Sequence, residues 1–282
     1  MAPEELAGRR DAFVVLSRQI RFEVRLWRLP ACCVLAGLVS KMAGLFSYPP
    51  AATSACHLGP PMSDFSIARQ KMVDGQVRPS DVTDIRIIDA MLAIPREAFV
   101  PQAQRSLAYL DLDIDVSEGA PAKRFLLRAA ATAKMLQAAA ISETDEVLVV
   151  GCASGYLAVV AARLARRVTA TECDSSLAAK AKTAVAALAP GNVTVKTAPV
   201  PDGDSADAPF DVIILNGTTE IPPENLYRQL KKGGRLVGTF ALGGPQRAMI
   251  VTESHGDFGH RELFDTAIPV LPGLERPAAF VF

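Results

Sequence analysis

Apolar and polar residues alternate with two different periods along this chain. Apolar positions recur at helical spacing over residues 64–77 and 82–93, and again in the stretch RFLLRAAATAKMLQAAA, which starts at Arg124. From residue 146 onward, strand-like runs alternate with helical stretches, as expected of a parallel sheet covered by helices on both faces. The predicted strands are 146–150, 168–172, 192–198, 210–215 and 235–241, and the predicted helices are 156–166, 175–188 and 223–230.

Two further strand-like runs, MIVTES and ELFDTAIPVL, follow with no long helix between them. They predict an antiparallel hairpin at the edge of the sheet. Ser80 or Asp81, just after Pro79, is the expected N-cap of the second helix. The whole pattern predicts an α/β fold: a Rossmann-like, doubly wound, mostly parallel sheet with an antiparallel edge hairpin and an N-terminal helical extension.

The first 61 residues differ in character from the rest of the chain. Several arginines precede the apolar stretch LPACCVLAGLVSKMAGLF, which resembles a targeting segment in outline. However, Lys41 interrupts the apolar run, and about 20 uninterrupted residues are needed to span a bilayer, so stable membrane insertion is not expected. The favoured interpretation is that translation starts at Met62. Residues 1–61 are then an atypical extension, and residues 62–282 form a single domain.

The charged residues, cysteines and histidines indicate which partners, cellular location and metal sites to expect. The 30 basic and 30 acidic residues cancel, so no strongly basic face is available for a phosphate backbone, and nucleic acid is not an expected partner. Five cysteines at irregular spacing argue against a disulfide framework and indicate a reducing, cytoplasmic location. The three histidines do not stand at metal-ligand spacing with any cysteine pair, so no metal site is expected.

The stretch VLVVGCASGYLAVV, residues 147–160, contains the main candidate site. A strand-like run leads into a turn with Gly151 and Gly155, where the missing Cβ atoms allow the backbone to approach a ligand closely. Glu172, at the end of the next predicted strand, is positioned to accept hydrogen bonds from ribose hydroxyls. Ala153 replaces the second glycine of the dinucleotide pattern GxGxxG, which disfavours a pyrophosphate. The alternative is a structural turn whose glycines only permit helix–strand packing.

From Met62 to about residue 242, the chain resembles the protein-L-isoaspartate O-methyltransferases. These enzymes use S-adenosylmethionine to methylate the abnormal carboxylate of isoaspartyl residues, which is a protein-repair reaction. The resemblance rests on four stretches in the same order: MVDGQVRPSDVTDIRIIDAMLAIPREAFVP, AYLDLDIDV, VLVVGCASGYLAVVAARLARRVTATE and APFDVIILNGTTEIPPENLYRQLKKGGRLV. It implies a carboxyl O-methyltransferase that acts on proteins or peptides with isoaspartyl residues.

The resemblance also implies where the cofactor binds. Residues 151–156 match most of the family's motif GTGSGY, and Glu172 matches the carboxylate that holds the ribose. Cys152 and Cys173 are candidates for lining the same pocket, although small buried residues are ordinary at strand ends. The expected cofactor-binding residues are Gly151, Cys152, Ser154, Gly155, Tyr156 and Glu172.

On the cofactor side, two positions and one short motif depart from the family pattern. Val149 replaces an acidic residue, and Ala153 replaces a glycine, so part of the polar contact to the methionine end is missing. Residues 198–200, Ala-Pro-Val, replace the motif GDG, whose aspartate lies beside the adenine. Asp202 or Asp204 in the longer loop is a candidate substitute for that aspartate.

The loop expected to bind the substrate, residues 119–123, differs most from the family pattern. Residues 119–123, GAPAK, stand where the family has GQTIS, so both hydroxyls associated with the acceptor carboxylate are missing. An orienting hydrogen bond to a buried partner contributes a few kcal/mol, which corresponds to about two orders of magnitude in rate. Lys123 could attract a carboxylate by charge, although a solvated lysine at a helix start is the simpler interpretation. No catalytic residue is assigned.

Three functions therefore stay open. The first is a repair methyltransferase with an altered acceptor loop, and the second is a methyltransferase for another carboxylate, because the fold does not determine the acceptor. The third is a non-catalytic relative that serves as a cofactor-sensing or interaction protein.

Overall fold

The computed structural model describes residues 64–277. The expectations for residues 1–61 and for a start at Met62 lie outside this range and stay predictions. The helices are α1 (Asp64–Met72), α2 (Ile85–Ala93), α3 (Ala129–Ala139), α4 (Tyr156–Ala162), α5 (Ser175–Leu188) and α6 (Glu224–Tyr227). The strands are β1 (Ile114–Asp115), β2 (Phe125–Leu126), β3 (Glu146–Val150), β4 (Arg167–Glu172), β5 (Val193–Thr197), β6 (Phe210–Thr219), β7 (Leu230–Phe240), β8 (Arg247–Ser254) and β9 (Asp257–Asp265).

A seven-stranded sheet forms the centre of the described domain, in the order β5-β4-β3-β6-β7-β8-β9. The strands from β5 to β7 are parallel, and β8 and β9 add an antiparallel hairpin at the edge. The predicted α/β fold, with its mostly parallel sheet and edge hairpin, is confirmed. Because the strand order reverses at β3, a crevice is expected at the carboxyl ends of β3 and β6.

The core explains why β3 and α4 read as continuous apolar runs. Val147–Val150 of β3 are buried, as expected for a central strand of a parallel sheet with helices on both faces. Every residue of α4 is buried as well, so this helix has no solvent-facing polar side.

Several predicted boundaries were wrong. The first helix ends at Met72 and continues as a π-helical turn, Val73–Val77. The N-cap of α2 is Asp84, whose side chain accepts a hydrogen bond from the Arg86 amide; Asp81 instead has a left-handed φ of 63°, which cannot begin a helix. Other predicted elements differ in length as well: α4 stops at residue 162, β6 continues to residue 219, α6 covers only residues 224–227, and β7 starts at residue 230.

The third predicted helix was wrong at its start. Residues 125–126 form β2, which pairs antiparallel with β1, and the helix begins only at Ala129. The amide of Arg128 donates to a carboxylate oxygen of Asp113 at 2.7 Å, which holds the chain extended up to that point. A short apolar run such as FLL is compatible with either period, and tertiary pairing selected the strand. Lys123 and Arg124 therefore do not start a helix.

A buried arginine ties the connector IPREAFVP to this small hairpin. Arg96 is fully buried and donates to the backbone carbonyls of Ala108, at 2.7 Å, and Leu127. Its guanidinium also lies 4.9 Å from the centre of the Tyr156 ring. Burial lowers the pKa of this guanidinium. Arg96 thus joins the connector, the end of β2 and the start of α4.

Residues 64–277 contain neither a membrane-spanning helix nor a metal-binding cluster. None of the helices there is long and apolar enough to cross a membrane. No group of histidine, cysteine and carboxylate side chains in that part of the chain is arranged to hold a metal ion.

Candidate functional site

The turn after β3 adopts an unusual backbone conformation. Gly151, Ala153 and Gly155 have left-handed φ angles of 67°, 52° and 94°. Glycine adopts this conformation without strain, whereas an L-residue such as Ala153 does so at a cost of about 1–2 kcal/mol. Because β3 lies between β4 and β6, this turn faces the carboxyl ends of both neighbouring strands.

The two glycines of the turn face different surroundings. A Cβ at Gly155 would lie 3.2 Å from Cγ2 of Val185 on α5, so this glycine permits close packing of α4 against α5. The packing interpretation therefore accounts for Gly155. A Cβ at Gly151 would lie 2.5 Å from Nη2 of Arg124 and 2.9 Å from Cδ2 of Leu271. Gly151 thus opens onto the expected ligand space, and two side chains of the protein itself occupy that space.

Glu172, at the carboxyl end of β4, is fully buried, and both of its carboxylate oxygens already have partners. Oε2 accepts from the Ala153 amide at 2.6 Å, and Oε1 accepts from the Cys173 amide at 2.9 Å. Nε of Arg124 lies 3.1 Å from Oε1 and 3.3 Å from Oε2. The Cys173 thiol and the Asp174 amide add weaker contacts to Oε1. The roughly four acceptor positions of a carboxylate are therefore filled.

Arg124 is the positive charge beside Glu172. Arg124 is only 2% exposed, and its Nη2 donates to the Gly151 carbonyl. That carbonyl also accepts from Nδ2 of Asn216 at 2.9 Å, so the ends of β3 and β6 are linked through one oxygen. The guanidinium lies between the turn and Glu172, with its charge compensated and its Nε and Nη2 hydrogen bonded.

The C-terminal segment closes the other side of the turn. ELFDTAIPVL was predicted as a strand, but only its residues up to Asp265 pair with β8. The following segment runs along the end of β6, where the Thr218 amide donates to the Pro269 carbonyl at 2.9 Å and the Leu271 amide donates to the Thr218 carbonyl at 2.8 Å. This pairing places the buried Leu271 side chain over Gly151 and Gly217.

Three other residues expected to bind the cofactor, Cys152, Ser154 and Tyr156, have different surroundings. Cys152 is buried, and its amide donates to the Thr171 carbonyl of β4. The Tyr156 ring packs edge-on against Phe99, in the core. The buried Ser154 hydroxyl has no hydrogen-bond partner, and Ser154 helps to line a cavity of about 90 Å³. The other residues lining this cavity include Phe99, Val116, Leu177 and Lys180.

The two cysteines near Glu172 are protonated at neutral pH. Burial and the Glu172 charge raise the pKa of the Cys173 thiol to about 11. The same two causes raise the pKa of Cys152 further. Because the thiolate is the reactive form, neither thiol is activated as a nucleophile.

Charged side chains of the loop expected to hold the acceptor already have ion-pair partners in the protein. Lys123 is largely exposed and its ammonium lies 2.8 Å from a carboxylate oxygen of Asp115. The side chains of Glu118 and Lys180 form another ion pair. Asp204 pairs with Lys196 of the edge strand β5 at 2.6 Å, so this candidate substitute for the missing aspartate already has a partner.

S-adenosylmethionine does not fit this conformation. Ribose hydroxyls would need acceptor positions of Glu172 that Arg124 and backbone amides already occupy. The space in front of Gly151 is filled by Arg124 and Leu271. The residue types of the turn match the cofactor motif, but the volume that the motif normally opens is closed.

The fold and the turn define a class of protein. A central parallel sheet whose first strand ends in a glycine turn, with an acidic residue at the end of the next strand, is typical of Rossmann-like methyltransferases. One solved structure, a protein-L-isoaspartate O-methyltransferase, superposes with a TM-score of 0.66 at 24% identity, covering 73% of this chain and 66% of that chain. Another, from Plasmodium falciparum and solved with S-adenosyl-L-homocysteine, superposes with a TM-score of 0.61 at 17% identity, covering 74% and 99%. At these identities the likeness shows the fold.

Sequence comparison identifies the family. The profile of the protein-L-isoaspartate(D-aspartate) O-methyltransferase family matches residues 68–267. A protein-L-isoaspartate O-methyltransferase of Roseiflexus sp. (strain RS-1) is 36% identical over 188 residues, which are 67% of this chain and 83% of that protein. One of Koribacter versatilis (strain Ellin345) is 33% identical over 216 residues, 76% of this chain and 95% of that protein. The chain belongs to the protein-L-isoaspartate O-methyltransferase family, and the predicted family and enzyme class are confirmed.

Three residues at the site were missed by sequence reasoning. Asn216 directly follows the apolar run FDVIIL, so the rule that ligand-facing residues follow parallel strands would have found it. Arg124 was hidden in a stretch that reads as helix. Leu271 stands at the end of the run predicted as a strand, and no local pattern showed that its side chain would lie over Gly151.

Proposed function

We propose that this protein is an S-adenosylmethionine-dependent carboxyl O-methyltransferase that acts on isoaspartyl residues of proteins or peptides. The observation that carries the proposal is the position of Glu172, buried at the carboxyl end of β4 beside the Gly151 turn. Family membership supports the same activity. The proposed cofactor-binding residues are Gly151, Cys152, Ser154, Gly155, Tyr156 and Glu172.

Two further parts of the proposal follow from the sequence. We place the protein in the cytoplasm because its cysteines do not form a disulfide pattern. We also propose that residues 62–282 act as one catalytic domain.

A pair of peptides tests the activity. Full-length protein is incubated with S-adenosylmethionine carrying a tritiated methyl group and with two synthetic peptides that differ only in isoaspartate or aspartate. Base-labile label is expected on the isoaspartyl peptide alone. Glu172→Gln should abolish labelling, whereas the matched control Glu262→Gln, at an exposed position of β9, should retain it. Equal labelling of both peptides would contradict isoaspartyl specificity.

The altered acceptor loop favours a second candidate, another carboxylate acceptor. Lys123 is paired with Asp115, and the loop has no hydroxyl at residues 119–123 to replace those of the family. Label transferred to small molecules of a cell extract, with none on the isoaspartyl peptide, would support this candidate.

The Arg124–Glu172 pair bears on the third function that the sequence left open, a non-catalytic member that senses the cofactor or binds a partner, although membership of an enzyme family argues for catalysis. A buried carboxylate with a full set of partners has no vacancy for a ribose in this conformation. Binding of S-adenosylhomocysteine without methylation of any acceptor would support it.

A further inference from the structure

We propose that Arg124 is an internal competitor for the cofactor: it holds Glu172 in a closed site, and it must leave before S-adenosylmethionine or its product binds. This inference rests on the proposed function, because it assumes that Glu172 is the ribose-binding carboxylate. It adds a residue that sets the affinity of the site, at a position outside the family's cofactor motif.

Arg124 contacts the same groups of the protein that the cofactor would need. Its Nε contacts both oxygens of Glu172, and its Nη2 binds the Gly151 carbonyl. A guanidinium forms charge-assisted hydrogen bonds with a carboxylate, which are stronger than those of a neutral ribose hydroxyl. With its side chain only 3% exposed, the pair is little screened by water or salt. A ligand therefore has to displace Arg124 to reach Glu172.

The neighbouring cations do not share this role. Arg128 pairs with Asp113, and Lys123 pairs with Asp115, both at partly or largely exposed positions. Arg124 alone among these three basic residues of the segment is buried against the turn. Removal of Arg128 therefore provides a control with the same change of charge in the same segment.

Of the two elements that close the site, the segment that carries Arg124 is held by the smaller number of strand contacts. It belongs to a separate sheet of two strands with two residues each. Its backbone is held by the amide of Arg124 donating to the Ser117 hydroxyl at 2.7 Å and by the Val116 amide donating to the Arg124 carbonyl at 2.9 Å. The side chains of Ile114 and Leu126 anchor this pair in the core, but its ladder is short, so displacing the Arg124 end of the segment breaks fewer backbone hydrogen bonds than opening the seven-stranded sheet does.

Leu271, by contrast, is fixed to the main sheet. The chain on either side of it makes three backbone hydrogen bonds with Thr218 and Glu220. The Thr218 hydroxyl adds a fourth, to the Ile268 carbonyl at 2.6 Å. Opening therefore occurs on the Arg124 side, while Leu271 stays as the other wall.

Calorimetric titration of the full-length protein with S-adenosylhomocysteine tests the proposal without requiring turnover. Because the apparent affinity of a closed site is reduced by the fraction of open protein, Arg124→Gln should bind at least about tenfold more tightly than the unaltered protein. Arg128→Gln should stay within about twofold of the unaltered protein, because it does not touch Glu172. Glu172→Gln introduced into Arg124→Gln should remove the gain.

Two further measurements keep the test decisive if Arg124→Gln folds poorly. Ser117→Ala removes the hydroxyl that holds the Arg124 backbone and leaves the ion pair chemically intact, so it should give a smaller gain of the same sign. In the unaltered protein, S-adenosylhomocysteine should increase hydrogen–deuterium exchange of the amides at residues 114–126, because the hairpin is released.

The outcomes separate the two proposals. Equal or weaker binding by both Arg124→Gln and Ser117→Ala, with clear binding by the unaltered protein, overturns the competitor role and leaves the proposed function intact. Absence of binding in every variant at millimolar ligand overturns both. Tighter binding by Arg124→Gln without any peptide methylation supports the competitor role and contradicts the proposed enzymatic function.

Discussion

The buried pair Arg124–Glu172 makes a prediction about stability that does not depend on any ligand. Glu172 is fully buried and Arg124 is 2% exposed, so neither charge can be solvated by water if its partner is removed. We expect Glu172→Gln to lower the free energy of unfolding by about 3–5 kcal/mol, because it leaves the guanidinium without a counter-ion.

Removal of the positive partner, in Arg124→Gln, should lower the free energy of unfolding by less. In Arg124→Gln, the Glu172 carboxylate keeps the amides of Ala153 at 2.6 Å and Cys173 at 2.9 Å, which continue to stabilise its charge. We therefore expect a loss of about 2–3 kcal/mol. In the double variant, neither charge remains, and the combined loss should be smaller than the sum of the single losses by about 1–3 kcal/mol.

Urea unfolding followed by far-ultraviolet circular dichroism measures these differences. The exposed pair Arg247–Glu262 provides a control cycle, in which the two single losses should be nearly additive because water screens the charges. Additive losses at the buried pair, or a larger loss for Arg124→Gln than for Glu172→Gln, would refute the reasoning.

Two other predictions concern the same turn. Ala153→Gly should raise the free energy of unfolding by about 0.5–1 kcal/mol, because the relief of a left-handed alanine exceeds the entropic cost of glycine; urea unfolding measures it. Alkylation of Cys173 by iodoacetamide at pH 8 should be about 100-fold slower than that of an ordinary cysteine, because burial and the Glu172 charge raise its pKa to about 11. The rate should rise as pH increases toward that value, and Glu172→Gln should accelerate it at pH 8; mass spectrometry of the Cys173 peptide gives the rate.

Each of these predictions has a matched control. Ala158→Gly, inside α4, should destabilise the protein by about 1 kcal/mol, so a similar loss for Ala153→Gly would show that its left-handed backbone carries no strain. For Cys173, the alkylation rate in concentrated urea should return to that of an ordinary cysteine. A folded-state rate equal to the urea rate would contradict the raised pKa.

The sheet and the turn were predictable for a local reason. A strand covered on both faces must be apolar along its length, and Val147–Val150 show this directly in the sequence. Left-handed turns favour glycine, so Gly151 and Gly155 mark the end of that strand. The acidic Glu172 follows at the distance set by one helix and one strand.

The predicted start of the third helix failed for an equally physical reason. Arg124 and the FLL run that follows have no periodicity long enough to separate strand from helix. Pairing with Ile114, through the register Ile114↔Leu126, selected the extended form. A contact of this kind depends on where the rest of the chain lies.

The sequence by itself determined the class of fold, the family and the position of the turn, because hydrophobic period, glycine and strand-end carboxylates act over short distances along the chain. Only the tertiary structure decided that the turn is closed. Arg124 lies 27 residues before Gly151, and Leu271 reaches the same point through its pairing with Thr218. Whether two such side chains fill one space is a matter of packing among distant segments, which no local pattern records.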